Sequence, residues 1–569
     1  MKNKIGFQPA VLSMVLSLFV LVIVNPSADA QDQSRHAASL NAMRAVAQKI
    51  KPEQRRHLSA AAGNLLSLAE SGALSRINSS PSSQQAVRQL LANKASRAAV
   101  QGSGPVPVNG TQFDFALSRL AGFTQNGSSN AWCGQDVVVG YNDSAAQLLT
   151  FTLPGGVSNS GVAVSHDGGA SFQASPFMDA GPDPNNFLAG EPVIACSGKN
   201  FYYASLFQYP GAIDPGTGEP RFVASVGVNR SSNGGDSWTV PVPAVRKNAD
   251  EHIIDKEWLA IDPNNPDVLY VSYTDFDYTF KKANGCDFGV RVAIELVASR
   301  NGGREWTQPV VVDQRCNPGS GQALQGSQVL VGNAGEVFVA WVSETDVDEQ
   351  IFFRSSTDGG ATFSQATSPG SAILAGLGGS GRIQSILQGN SFPSLSIDRS
   401  SSASRGTLYL AWTDASRNQI PDFLAPNGIY NFGDVVFTRS ADKGSTWTPA
   451  NIVSPAPRNS KGRDQFLPSS AVDREGTLAI CYFDRRRDAD NNGVDHYCST
   501  SHDQGATFQH IRNTPSSWAP THSNDGLTDP AGFGDYDVVS SDANGASAGF
   551  FSSFQSQAWG NPDIVGVRF

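Results

Sequence analysis

SHDGGASF, from Ser165 to Phe172, decides the fold because it returns five times along the chain. The other copies are SSNGGDSW (Ser231 to Trp238), SRNGGREW (Ser299 to Trp306), STDGGATF (Ser356 to Phe363), SADKGSTW (Ser440 to Trp447) and SHDQGATF (Ser501 to Phe508). Their starts lie 66, 68, 57, 84 and 61 residues apart, a loose period that suits four strands with variable loops. The chemistry of the octapeptide is local. An Asp or Asn at the third position accepts backbone N–H groups across a hairpin, the fifth-position Gly supplies a left-handed conformation, and the closing aromatic folds back under the turn.

Around the octapeptides the chain is made of short runs of Val, Ile, Phe, Tyr and Trp between Gly, Asn, Asp and Ser turns. Innermost strands are expected at EPVIAC (Glu191), EWLAID (Glu257), SQVLVG (Ser327), FPSLSID (Phe392), FLPSSAVD (Phe466) and FGDYDVV (Phe533). Second strands follow at VVVGYND, LYVSYTD, VFVAWVSE, LYLAWTD and LAICYFD. With a first unit around Val137 this makes seven units and six octapeptides. The last unit ends at DIVGVRF before a fourth strand, and the strand around Phe113 to Ser118 is expected to close the ring. The fold expected is all-β, a β-propeller of seven blades, with six as the alternative.

The octapeptides resemble the Asp-box, or bacterial neuraminidase repeat, of the sialidase superfamily, over roughly residues 111 to 569. That resemblance implies a propeller, six-bladed in the sialidases themselves. It also implies three arginines that clamp a sugar carboxylate, a tyrosine nucleophile activated by a glutamate, and an aspartate as acid/base. The family's Phe/Tyr-Arg-Ile-Pro element is missing ahead of the first octapeptide, and Gly381-Arg382-Ile383-Gln384 is its weak echo farther on.

Three domains are expected: a signal peptide over 1–30, a basic helical segment or propeptide over 31–104, and the propeller over 105–569. The opening MKNK, the apolar run from Ala10 to Val24 and the site Ala28-Asp29-Ala30 form a secretory leader, so the mature chain is expected from Gln31, periplasmic or secreted, with no membrane insertion. Residues 31–104 read as two or three amphipathic helices with ten Lys/Arg and three Asp/Glu, a net of +7. The residues after 104 hold 29 basic and 47 acidic side chains, a net of −18. Opposite charge suggests that the segment docks on its own propeller, and an acidic body argues against nucleic acid. Six cysteines without a CxxC pair are expected to pair as Cys133–Cys196, Cys286–Cys316 and Cys481–Cys498.

Innermost strands start, and second strands end, on the face where a propeller's central channel opens. Carboxylates crowd there: Asp143, Asp275, Asp277, Glu344, Asp414 and Asp484 at strand ends, and Glu191, Asp255, Glu257, Asp464 and Asp535 at strand starts. The expected catalytic group is Tyr536, Asp464, Asp484 and Arg485, converging on one sector. Substrate contacts are expected from Glu191, Asp255, Lys256, Asp275, Asp414, Arg486 and Asp535. A structural reading of the same residues has Tyr-x-Asp capping loops, Tyr536 packing against the next blade, and Asp464 paired with Arg485. No cofactor is expected. Calcium is the one ion that an oxygen-rich rim would suit, although no loop has the spacing of a dedicated calcium motif. The functions expected are glycoside hydrolysis on extracellular glycans or, alternatively, a non-catalytic module binding a glycan, cation or protein.

Overall fold

A computed structural model describes the chain from residue 104 onward apart from internal gaps, the longest being 110–123, 374–389, 454–462 and 519–533; before residue 104 it describes only 44, 48, 50, 58, 98 and 99. The expected signal peptide and most of the expected helical segment lie outside the described residues.

Seven sheets follow one another around a ring, antiparallel except where Val157–Ser158 pairs in parallel with Phe187 and Leu188 at the inner edge of blade 2. Blade 1 is Gln125–Cys133, Asp136–Asp143, Ser160–Ser165 and Ser171–Ser175. Blades 2, 3 and 4 begin at Phe187–Ser197, His252–Asp262 and Ala323–Val331, and blades 5, 6 and 7 at Ser394–Ile397, Gln465–Val472 and Val539–Ser541. The fold is thus the seven-bladed propeller, and among the described residues a short helix, Ser144–Phe151, follows the second strand of blade 1. Blade cores are apolar, as at Trp341 and Trp412, because both faces of each sheet are covered by neighbouring blades.

Ring closure departs from expectation in its strand. The outer edge of blade 7 is completed by Val106–Pro107, which pairs with Gly566 and Val565; Phe113 to Ser118 lie outside the described residues. An outermost edge is where a strand tolerates proline, since only one side of its backbone meets a partner. The described parts of the basic segment touch the propeller in two places. Ala98–Ala99 pairs with Phe172 and Ser171 at the outer edge of blade 1, and Ile50 and Leu58 are buried in the apolar cluster of blades 3 and 4.

The three disulfides form as expected, Cys133–Cys196 between blades 1 and 2, Cys286–Cys316 in blade 3 and Cys481–Cys498 in blade 6. Cys481 and Cys498 stand directly opposite in the ladder.

The octapeptide turns follow the third strands, on the face away from the mouth. In the turn of blade 4, Ser356 Oγ donates to Asp358 at 2.7 Å, Gly360 N donates to Ser356 Oγ at 2.9 Å, and Thr362 N donates to Asp358 at 2.9 Å. The same pattern recurs at Ser440, Asp442, Gly444 and Thr446. These bonds favour the carboxylate, so the exposed Asp358 has its pKa lowered to about 2, chiefly by the Thr362 hydroxyl.

The fifth-position glycine does more than adopt positive φ. A Cβ at Gly444 would lie 2.0 Å from the Phe353 ring of blade 4, one at Gly505 2.3 Å from Phe437 of blade 5, and one at Gly169 2.8 Å from Phe551 of blade 7. Closing aromatics lean the same way: Trp447 meets Phe353 edge-on at 5.2 Å, and Phe508 meets Phe437 at 5.3 Å. These turns are therefore wedges against the preceding blade, as well as caps on their own hairpins; the turn of blade 3 is looser, a Cβ at Gly303 meeting Arg230 at 3.4 Å.

His166 bridges the first two turns. Its Nδ1 lies 2.7 Å from Asp136 and its Nε2 2.9 Å from Asp236. The hydrogen bond to Asp136 is the chief cause of a pKa raised above the ordinary 6.5, with partial burial opposing it. A raised folded-state pKa gives stability that is complete below about pH 6.5 and lost as pH rises through the folded value. His166 is 40% exposed and Asp236 62%, so screening holds the effect below about 1 kcal/mol. His166→Gln is expected to melt below the parent protein at pH 5.5 and level with it above pH 8; a deficit that persists unchanged at pH 8.5 would remove the ion pairs as its cause.

Candidate active site at the channel mouth

The inner strands of blades 1, 2, 3, 4 and 6 share one irregularity just inside the mouth. Their ladders skip two residues, between Asn126 and Ser129, Gly190 and Val193, Asp255 and Trp258, Gln325 and Gln328, and Phe466 and Ser469. The first skipped residue is left-handed in every case: Gly127 (φ 58°), Glu191 (57°), Lys256 (51°), Gly326 (63°) and Leu467 (51°). The second is Ser128, Pro192, Glu257, Ser327 or Pro468. Such a bulge turns side chains away from the ladder, and here residues at both positions line the channel.

Blades 1 and 4 use glycine at the left-handed position, where it costs little. Glu191, Lys256 and Leu467 of blades 2, 3 and 6 occupy that conformation with full side chains, at a cost of about 1–3 kcal/mol each. Where the other four blades carry Ser or Pro, blade 3 buries a carboxylic acid, Glu257.

The side chains so placed converge. Lys256 Nζ donates to Glu191 Oε2 at 2.6 Å and pairs with Asp535 at 2.7 Å, and all three are at most 2% exposed. The ammonium lies 4.6 Å from the centroid of the Tyr536 ring and 5.4 Å from that of Phe392. Burial opposes the charge on Lys256, but Asp535, Glu191 and Asp255 outweigh it and raise its pKa. Glu191 is pushed up to about 7 by burial, partly offset by Lys256. Asp255 accepts from Gln325 Nε2 at 2.8 Å, joining blades 3 and 4.

Glu257 stands apart. Beyond the pull of its own backbone N–H, neither carboxyl oxygen has a hydrogen-bond partner. Burial pushes its pKa well above the ordinary carboxylate value, which favours the neutral acid. It borders a pocket that Trp258, Phe392, Leu467 and Tyr536 also wall. Trp258 and Tyr536 meet edge to face at 5.7 Å.

The expected residues divide into two groups. Tyr536, Glu191, Lys256, Asp255 and Asp535 meet at the channel. The Tyr536 hydroxyl donates to the Pro192 carbonyl at 3.1 Å, and burial, with Glu191, Glu257 and Asp535, raises its pKa further. Asp464, Asp484, Arg485 and Arg486 instead hold loops of blades 5 and 6. Asp464 accepts from Gly433 N at 3.0 Å and lies 3.6 Å from Arg485, which donates to the Asn491 carbonyl. Asp484 accepts from Arg486 Nε at 2.7 Å and from Gln465 at 3.0 Å. Asp414 caps its own loop through Ser416 N at 2.9 Å and Ser416 Oγ at 2.6 Å. Asp275 sits in a buried network with Lys247, His252 and Arg291, alongside the Tyr273–Glu295 bond of 2.7 Å.

Trp258 and Phe392 were not foreseen in the site, and Glu257 was foreseen only as one of many rim carboxylates. Arg382 lies outside the described residues, and no arginine is among the described residues bordering the pocket. Among the described residues no group of three or more His, Cys, Asp or Glu is arranged to hold a metal ion, and no helix is long and apolar enough to cross a membrane.

No protein-family model matches this chain, and no curated protein matches it. Among solved structures it is similar to the Trypanosoma rangeli sialidase at 12% identity and a TM-score of 0.38, covering 66% of this chain and 54% of that one, so the match spans about half of the sialidase. A protein of unknown function from Dyadobacter fermentans matches at 12% identity and a TM-score of 0.38, covering 83% of this chain and 98% of that one. An ulvan lyase, solved bound to -[GlcA(1-4)Rha3S]-, matches at 11% identity and a TM-score of 0.41, covering 79% and 94%.

Proposed function

We propose that this chain is an exported, glycan-acting propeller that receives a sugar unit in the channel-mouth pocket and hydrolyses its glycosidic bond. The observation that carries the reading is Glu257, a buried acid without a partner in a pocket walled by aromatic rings. Aromatic faces suit the C–H faces of a sugar ring. A neutral carboxyl suits general acid catalysis: as the C–O bond breaks, its proton passes to the leaving oxygen, and water adds to the anomeric carbon and returns a proton. Three disulfides agree with an oxidising compartment outside the cytoplasm. The basic segment, with Ile50 and Leu58 against the propeller, is read as an intramolecular strap.

The geometry of Tyr536 favours a second reading, a non-catalytic glycan-binding module, since its hydroxyl is bonded to a backbone carbonyl and its acidity is weakened. A panel of fluorogenic α- and β-glycosides, followed by calorimetric titration with the corresponding sugars, separates the two. Turnover that falls at least a hundredfold in Glu257→Gln supports the hydrolase. Saturable binding without turnover supports the module, and neither turnover nor binding overturns both.

A further inference from the structure

We infer that the channel pocket selects an uncharged sugar and discriminates against sugars that carry a carboxylate. The inference rests on the reading that the pocket receives a glycan, and it concerns which class of sugar that is. Among the described residues bordering the pocket, Lys256 is the one cation, and its ammonium is held between Glu191 at 2.6 Å and Asp535 at 2.7 Å. A carboxylate entering beside it would compete with two buried carboxylates already in place, with Asp255 one residue away, and would have to shed its own hydration.

Recognition of an acidic sugar calls for a planar, bidentate cation free to meet it. The arginines expected on the rim are turned to other work, Arg485 donating to the Asn491 carbonyl and Arg486 to Asp484. What the pocket does offer is matched to a neutral polyol. Protonated Glu257 has an O–H to donate, and a sugar hydroxyl or ring oxygen accepts it with no charge to neutralise. Phe392 and Leu467 supply apolar wall.

The test titrates the full chain, by calorimetry at pH 7, with methyl glycosides of glucose, galactose, mannose and N-acetylglucosamine, and in parallel with methyl glucuronide and the methyl glycoside of sialic acid. At least one neutral sugar is expected to bind ten or more times more tightly than either acidic one, and Phe392→Ala is expected to weaken it at least fivefold with an unchanged melting profile. Should Phe392→Ala fail to fold, Glu257→Gln provides the same localisation. Acidic sugars binding as tightly as neutral ones would overturn the inference and leave the glycan reading standing. Neutral binding that neither variant weakens would place it elsewhere and overturn the inference too. Absence of binding by every sugar, with no turnover of any glycoside, would remove the glycan reading and the inference with it.

Discussion

Lys256→Met is expected to destabilise the propeller by about 3–5 kcal/mol, the usual cost of removing one partner of a buried ion pair. Methionine nearly matches the length and shape of lysine, so the loss isolates the charge. Glu191 and Asp535, both at most 1% exposed, would then face each other's field without the ammonium between them. Glu191, already pushed up to about 7 by burial, escapes by taking up a proton, so its folded-state pKa lies above the unfolded one. Stability is then retained at low pH and lost as pH rises through the folded value. The deficit in urea unfolding should therefore be larger at pH 8 than at pH 5. A variant as stable as its parent at both would show that the triad contributes nothing to the fold.

The second large effect concerns Cys133–Cys196, which closes a sequence separation of 63 residues, against 30 for Cys286–Cys316 and 17 for Cys481–Cys498. In the chain-entropy account, a cross-link stabilises more the longer the loop it closes in the unfolded chain, giving about 4 kcal/mol for the first and about 3 kcal/mol for the last. Cys133 ends the inner strand of blade 1 and Cys196 lies in the inner strand of blade 2, so its loss also frees one blade from the next. Replacing both cysteines by serine should lower the calorimetric melting temperature more than the same change at Cys481 and Cys498. The opposite order would rule out loop length as the governing quantity.

Blade number and disulfide pairing were legible in the sequence because each rests on a period or a register that short-range chemistry imposes. The closing strand was not, since Val106 and Pro107 sit within GSGPVPVNG, whose composition reads as linker. The fifth-position glycine was legible as a turn residue, but its approach to the preceding blade depends on packing between units far apart in the chain. At the mouth, the sequence located the acidic residues without sorting them. Asp414 and Asp484 occupy the same strand-end position and hold loops, whereas Glu191, Lys256 and Glu257 of the channel group come from a bulge at the strand starts. That bulge has no consensus, its left-handed position being Gly, Glu, Lys or Leu. Glu257 becomes conspicuous only when its equivalents Ser128, Pro192, Ser327 and Pro468 are aligned through the ladder registers.

The wedging of octapeptide turns against the blade before them gives the ring a direction. Blade 2 leans on blade 1 through Gly235 against Val138, blade 4 on blade 3 through Gly360 against Leu296, and blade 6 on blade 5 through Gly505 against Phe437. A blade thus finds its support already made as the chain emerges from its N-terminal end, and each seam can form without waiting for later sequence. Blade 1 is the exception: its Gly169 rests on Phe551, and Val106–Pro107 must find the strand that holds Val565 and Gly566, so both fastenings of the last seam wait for blade 7 to be made. A nascent chain stalled within blade 6 would hold an open arc of finished blades, with the channel and its pocket still unformed.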